Sequence, residues 1–166
     1  MNIKLFTFLI LIATTFTACD KFDYSSVNLK KVDNTALIGT WETVSAVYKA
    51  TKGGTVLWDE NEEYKDPKDR TVFVLKNGNV GAIKVWDEET QEWIEFPLRY
   101  SIVGNVIQFS FEFKGEEDEL TIALLFENIP FVYSITDEVL RLELEFTDDE
   151  GVYQKQIITL NKRADL

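Results

Sequence analysis

Apolar and polar residues alternate along most of the chain from residue 38 onward, with the two-residue period of a half-buried strand. In 106–113, Ile107, Phe109, Phe111 and Phe113 alternate with Gln108, Ser110 and Glu112. In 139–146, Leu140, Leu142, Leu144 and Phe146 alternate with Arg141, Glu143 and Glu145. The same reading predicts strands at 38–50, 70–76, 79–86, 92–103, 119–127, 131–135 and 152–161. The run at 119–127 is almost continuously apolar, and Pro97 predicts a bend or bulge within 92–103. Turn-forming residues separate the runs: Gly53-Gly54, Asn77-Gly78, Gly104-Asn105, and charged turns near 87–91, 114–118, 136–138 and 147–151. Asn-Gly between two β runs is a strong hairpin signal. Residues 51–69 stand apart as the longest connection, a loop holding Trp58, Tyr64 and a run of charge. At most a turn or two of helix is expected there, at 59–66.

Many short strands joined by short turns make an all-β domain. The expected architecture is a single up-and-down antiparallel β-barrel of about 8–9 strands, because closure removes exposed edges. Alternation points Phe73, Tyr100, Ile102, Phe109, Phe111, Leu124, Tyr133, Leu142 and Leu144 inward. A one-residue slip in register would exchange these for their neighbours. Trp86 and Trp93 flank one hairpin and are expected as a cross-strand pair.

The first 35 residues break the pattern. Residues 1–18 hold a short basic start, the apolar run Leu5-Phe6-Thr7-Phe8-Leu9-Ile10-Leu11-Ile12-Ala13, and small residues before Cys19. This is signal-peptide organisation, too short for a spanning helix, which needs about 20 apolar residues. Residues 19–35 read as Cys19 followed by a polar tether, and 36–163 as the barrel.

Composition narrows the chemistry. The chain has 166 residues, 45% of them hydrophobic and 13% aromatic, enough to core one domain and too few for two. It carries 17 basic and 29 acidic residues, a net charge of −12. Such a surface opposes nucleic acid and anionic membrane faces. There is no histidine, and Cys19 is the sole cysteine. That removes a Ser-His-Asp triad, a Cys-His dyad, an intrachain disulfide and the usual zinc sites. No acidic turn has the spacing of a calcium loop. The inward positions are apolar, so no carboxylate pair faces another across a cleft. No enzyme, metal or cofactor is expected.

Two resemblances add to this reading. Phe16-Thr17-Ala18-Cys19 resembles the lipobox of bacterial lipoproteins, with Phe16 where leucine is usual. It implies acylation of Cys19, and a membrane contact through those acyl chains. Leu37-Ile38-Gly39-Thr40-Trp41 at the first strand, the long connection after it, the Asn77-Gly78 hairpin and the meander to Leu160 resemble the lipocalin-like proteins of the calycin group. The likeness is strongest to the lipid-anchored members of Gram-negative bacteria. It covers about residues 36–162 and implies a lipocalin-like barrel in the cell envelope, at the outer membrane. It also implies that Gly39 and Trp41 plug the closed end, with Arg163 or Lys162 stacked over Trp41 as a cation–π contact. The 51–69 connection then becomes a lid at the open rim. Trp58 and Tyr64 would meet a ligand there, with Phe73, Tyr100, Phe109, Phe111 and Tyr133 as the interior wall. Two functions follow. A hollow barrel binds a small apolar or amphipathic ligand; a filled one is a protein-interaction or accessory module.

Overall fold

In a computed structural model of the chain, residues 29–30, 34–111, 126 and 129–164 are described. A short 3₁₀ turn, Asn34–Leu37, precedes nine strands. They are β1 (Gly39–Lys52), β2 (Thr55–Glu63), β3 (Val72–Lys76), β4 (Val80–Asp87), β5 (Glu92–Val103), β6 (Val106–Phe111), β7 (Pro130–Thr136), β8 (Val139–Thr147) and β9 (Val152–Arg163). Each of β3 to β9 pairs antiparallel with its neighbour in sequence, β3 pairs with β1, and β1 closes on β9. The result is a ring of eight strand positions, with β2 paired to β1 on the same side as β3. The up-and-down barrel expected from the alternation is the fold observed.

The ring has two distinct ends. Thr40 lies opposite Arg163 and Gly39 opposite Leu75, so β1 starts where β9 and β3 finish. The turns at 77–79, 104–105 and 137–138 belong to that end. The turns at 53–54, 88–91 and 148–151 belong to the other.

The 51–69 connection is not a loop. Gly53 and Gly54, both with positive φ (57° and 84°), turn β1 directly into β2. Two successive positive φ values suit the right-handed twist of a tight hairpin. β2 then runs back along β1, from Lys52 opposite Thr55 to Ser45 opposite Glu63. β3 continues along the same edge of β1, opposite residues 39–42. One strand position of the barrel is therefore occupied by two strands in succession, joined by residues 64–71. This gives nine strands in eight places.

Pro97 causes no bulge. β5 keeps one register against β4 through Pro97, which faces Ala82. The β5–β6 ladder begins one residue later, at Leu98. The missing N–H of Pro97 therefore removes no ladder bond among the described residues. The strand expected at 119–127 lies outside the described residues except for Phe126, whose backbone is helical. Among the described residues, β6 pairs directly with β7, at Val106 to Gln108.

Register settles which faces point inward. Phe73, Ile83 and Phe96 are mutually opposed, as are Tyr100 with Phe109 and Tyr133 with Leu142. All are buried. A register shift between Thr43 and Ser45 inserts one residue into β1. It changes the inward set from Trp41 and Thr43 to Ala46, Tyr48 and Ala50, as a β-bulge does. The outer face carries directly opposed ion pairs, Lys84–Glu95 (2.8 Å) and Lys155–Glu145, which contribute little to stability at such exposure.

Candidate functional site

The Gly-x-Trp stretch lies at the first end, where β1 starts. Gly39 has φ +144°, a conformation that side chains disfavour. A Cβ there would also lie 3.1 Å from Lys162 Cε. Trp41 is fully buried, and its indole Nε1 donates to Leu37 O at 2.8 Å. The cation over its ring is Lys162, with Nζ 5.6 Å from the centroid. Arg163, the neighbour on the strand, is exposed and opposite Thr40. Alternation puts successive residues on opposite faces, so only one of the two can stack.

Three contacts stitch the preceding segment to this end. The Lys30 N–H donates to Asn105 Oδ1 at 2.8 Å. Tyr133 Oη donates to Asn34 Oδ1 at 2.7 Å. Leu37 is fully buried in the core. Tyr100 Oη donates to Lys76 O at 2.7 Å, in the neighbouring turn. Both inward tyrosines expected to meet a ligand thus direct their hydroxyls to groups at this end of the barrel.

Aromatic rings occupy the middle of the barrel. Phe73 and Phe109 lie 5.5 Å apart between centroids, and Phe109 and Phe131 6.4 Å. Phe126 enters among them, 5.3 Å from Phe73, 6.0 Å from Phe131 and 6.4 Å from Phe109. These are contact distances for aromatic pairs and leave no ligand-sized gap between the four rings. Phe111 lies on the same inner face and is buried.

Nearer the other end the lining changes. The pairings of β1 with β2 and β9 put Glu60, Glu62 and Gln156 on the face of Tyr48. Tyr64 Oη donates to Glu62 Oε2 at 2.9 Å, and the Tyr48 hydroxyl contacts Tyr64 and Gln156. Burial, with the Glu62 charge nearby, pushes the Tyr48 phenol up to about 12. Burial and Tyr48 push Tyr64 still higher. Trp58 lies on β2, 36% exposed, rather than on a rim loop. Trp58 and Tyr64 are therefore brought to one ribbon, but apart from the Phe73–Phe131 stack.

Arg70 is a residue that periodicity passed over. Its Nη1 donates to Glu42 Oε1 (2.9 Å), Nε to Tyr64 O (3.0 Å) and Nη2 to Lys65 O (3.3 Å). One side chain thereby fixes the link between β2 and β3. Its only sequence signal is a lone arginine at the start of a strand after a charged run. On the outer face Trp86 and Trp93 are directly opposed, with rings 5.8 Å apart and edge to face. Lys68 Nζ lies 4.5 Å over Trp86. Cys19 lies outside the described residues. Among the described residues, no group of three or more carboxylate or thiol side chains is placed to hold a metal ion.

Solved structures are similar to this chain. A lipocalin-like protein from Bacteroides uniformis aligns over 77% of this chain and 99% of its own, at 16% identity and a TM-score of 0.51. A protein from Bacteroides eggerthii aligns over 76% and 98%, at 11% identity and a TM-score of 0.42. Lobster apocrustacyanin A1 aligns over 81% and 64%, at 14% identity and 0.41. No family model and no curated protein sequence matches the chain. The fold is lipocalin-like, of the calycin type. At these identities the likeness speaks to the fold alone.

Proposed function

We propose that this chain is a lipid-anchored cell-envelope protein whose lipocalin-like barrel is a packed, non-enzymatic module that acts by binding another protein. The observation that carries the reading is the contact among Phe73, Phe109, Phe126 and Phe131, which fills the centre of the barrel. A binding site for a small molecule is ordinarily a preformed cleft of about 300 Å³ or more.

Anchoring is supported by Phe16-Thr17-Ala18-Cys19 after an apolar leader. The segment after the tether joins the barrel at the Trp41 end, through Lys30 and Asn34. Cys19 to Leu29 spans at most about 35 Å even when extended. An acylated Cys19 would therefore keep the barrel close to the bilayer. The outer membrane of a Gram-negative bacterium is the proposed location.

A second reading is favoured by one observation. Tyr48, Tyr64, Glu62 and Gln156 line the inner face above the apolar core, the arrangement that an amphipathic ligand would use. Native mass spectrometry of the protein purified from its own host separates the two. The packed-module reading expects the mass of the acylated chain with no further ligand. A stoichiometric small-molecule adduct would overturn it in favour of the second reading. In the same host, Cys19→Ala is expected to move the protein from the membrane to the soluble fraction. Unchanged fractionation would refute the anchor.

A further inference from the structure

The β2 strand leaves one edge open. It pairs with β1 on one side, and among the described residues no strand lies on the other. The Tyr64 N–H donates to Val44 O at 3.0 Å. Antiparallel alternation then turns the N–H and C=O of Glu62 and Glu60 toward β1. The N–H and C=O of Asp59, Asn61 and Glu63 point away from β1, along the sheet. Natural sheets rarely leave such an edge bare, because it templates pairing with another chain.

The side chains say which chain. Four of the nine β2 residues are acidic: Asp59, Glu60, Glu62 and Glu63. Lys49 and Lys65 offset Asp59 and Glu63 in exposed ion pairs of 3.4 and 3.7 Å. At the other end of β2, Val56 and Leu57 are each 54% exposed. The plain reading of the charge is protection against self-pairing: β2 against a second β2 sets acid beside acid, on chains of net charge −12. The same charge favours a strand of opposite sign. We infer that the outer edge of β2 binds an extended segment of a partner protein by β-strand addition. Lysine or arginine of that segment lies against Asp59–Glu63, and its apolar residues lie against Val56 and Leu57. The inference rests on the packed-module reading and names the class of partner that module takes.

The probe is a labelled synthetic peptide of alternating lysine and valine, added to the full acylated chain in neutral detergent. Fluorescence anisotropy reads binding, and amide hydrogen exchange reads its place. The peptide is expected to bind more weakly as salt rises and to slow exchange at Asp59, Asn61 and Glu63. Its glutamate-for-lysine counterpart should bind at least about tenfold more weakly. Asn61→Pro removes an outward donor while leaving the β1 ladder intact, and should weaken binding at least about tenfold. Asp59→Asn with Glu63→Gln leaves the backbone untouched, keeps the test valid if the proline variant misfolds, and should weaken binding about fivefold. Absence of binding, or equal binding by the double variant, overturns the inference. Concentration-dependent protection of the same amides without peptide also overturns it, by showing a second copy on the edge. A small molecule in the barrel would leave these three amides unchanged, so this inference and the packed-module reading fail separately.

Discussion

At the scale of single residues, backbone geometry carries more than side-chain chemistry. Gly81 shows this. A Cβ on Gly81 would meet Val74 O at 2.1 Å, and that atom belongs to the backbone of the paired strand. The neighbour cannot yield without breaking the β3–β4 register. Gly81→Ala should destabilise the fold by about 2 kcal/mol or more, within the range for overpacking. Urea unfolding followed by tryptophan fluorescence measures this, and an unchanged midpoint would contradict the packing described. Gly39 and Trp41 were legible in the sequence for a related reason: a positive φ and a fully buried indole each admit few residue types. The cation over Trp41 was not, because Lys162 and Arg163 differ only in which face of β9 they occupy. That face depends on register, which a single residue of extension reverses.

The buried phenols carry a pH dependence. Tyr48 ionises near 12 in the folded chain and Tyr64 higher, against an ordinary value near 10 when unfolded. Both folded values are raised, so their contribution is fully present below pH 10. It is lost as the pH rises toward and through 12, since the unfolded chain releases those protons first. Unfolding free energy should therefore fall steeply between pH 10 and 12. In Tyr48→Phe the fall should be shallower; an equal slope would show that this phenol is not held neutral by the fold.

At the scale of elements, the hairpins were legible and the ribbon was not. Asn77-Gly78 and Gly104-Asn105 announced their turns, and Gly78 and Gly104 take positive φ there. The strands on either side alternate because one face meets the core and the other meets water. β2 has no such contrast. Its outward residues are exposed, and its inward ones, Glu60 and Glu62, are polar and half-buried. A strand whose inward residues are as polar as its outward ones has no hydrophobic period to read, so Thr55–Glu63 looked like a charged loop. What holds its far end is Arg70. Arg70→Ala removes the donors to Glu42, Tyr64 O and Lys65 O, and leaves Glu42 partly buried without its cation. A loss of about 1–3 kcal/mol is expected, with faster hydrogen exchange across 64–71 than across β8. Uniform acceleration through the whole barrel would instead make Arg70 a global determinant.

At the scale of the whole molecule, closure is the decisive feature. β1 pairs with β9 over almost its full length, joining residues a hundred or more apart in sequence. The periodicity implied enough strands for a ring, but not that one position would be filled by β2 and β3 in turn. That division separates the molecule's parts. One end holds Trp41, and Phe73, Phe109, Phe126 and Phe131 are in contact within the core. The β1–β2 ribbon, with its open edge among the described residues, is where the proposed contact with another protein is placed. The separation rests on the packed centre, which a small apolar ligand would have to displace.

The most direct test is a titration of the isotopically labelled protein with oleate below its micellar concentration, observed by NMR at the rings of Phe73, Phe109 and Phe131. A packed module gives no saturable shift at these rings at any stoichiometry. A saturable one-to-one shift centred on them would show that the barrel opens to a ligand, and would contradict the account.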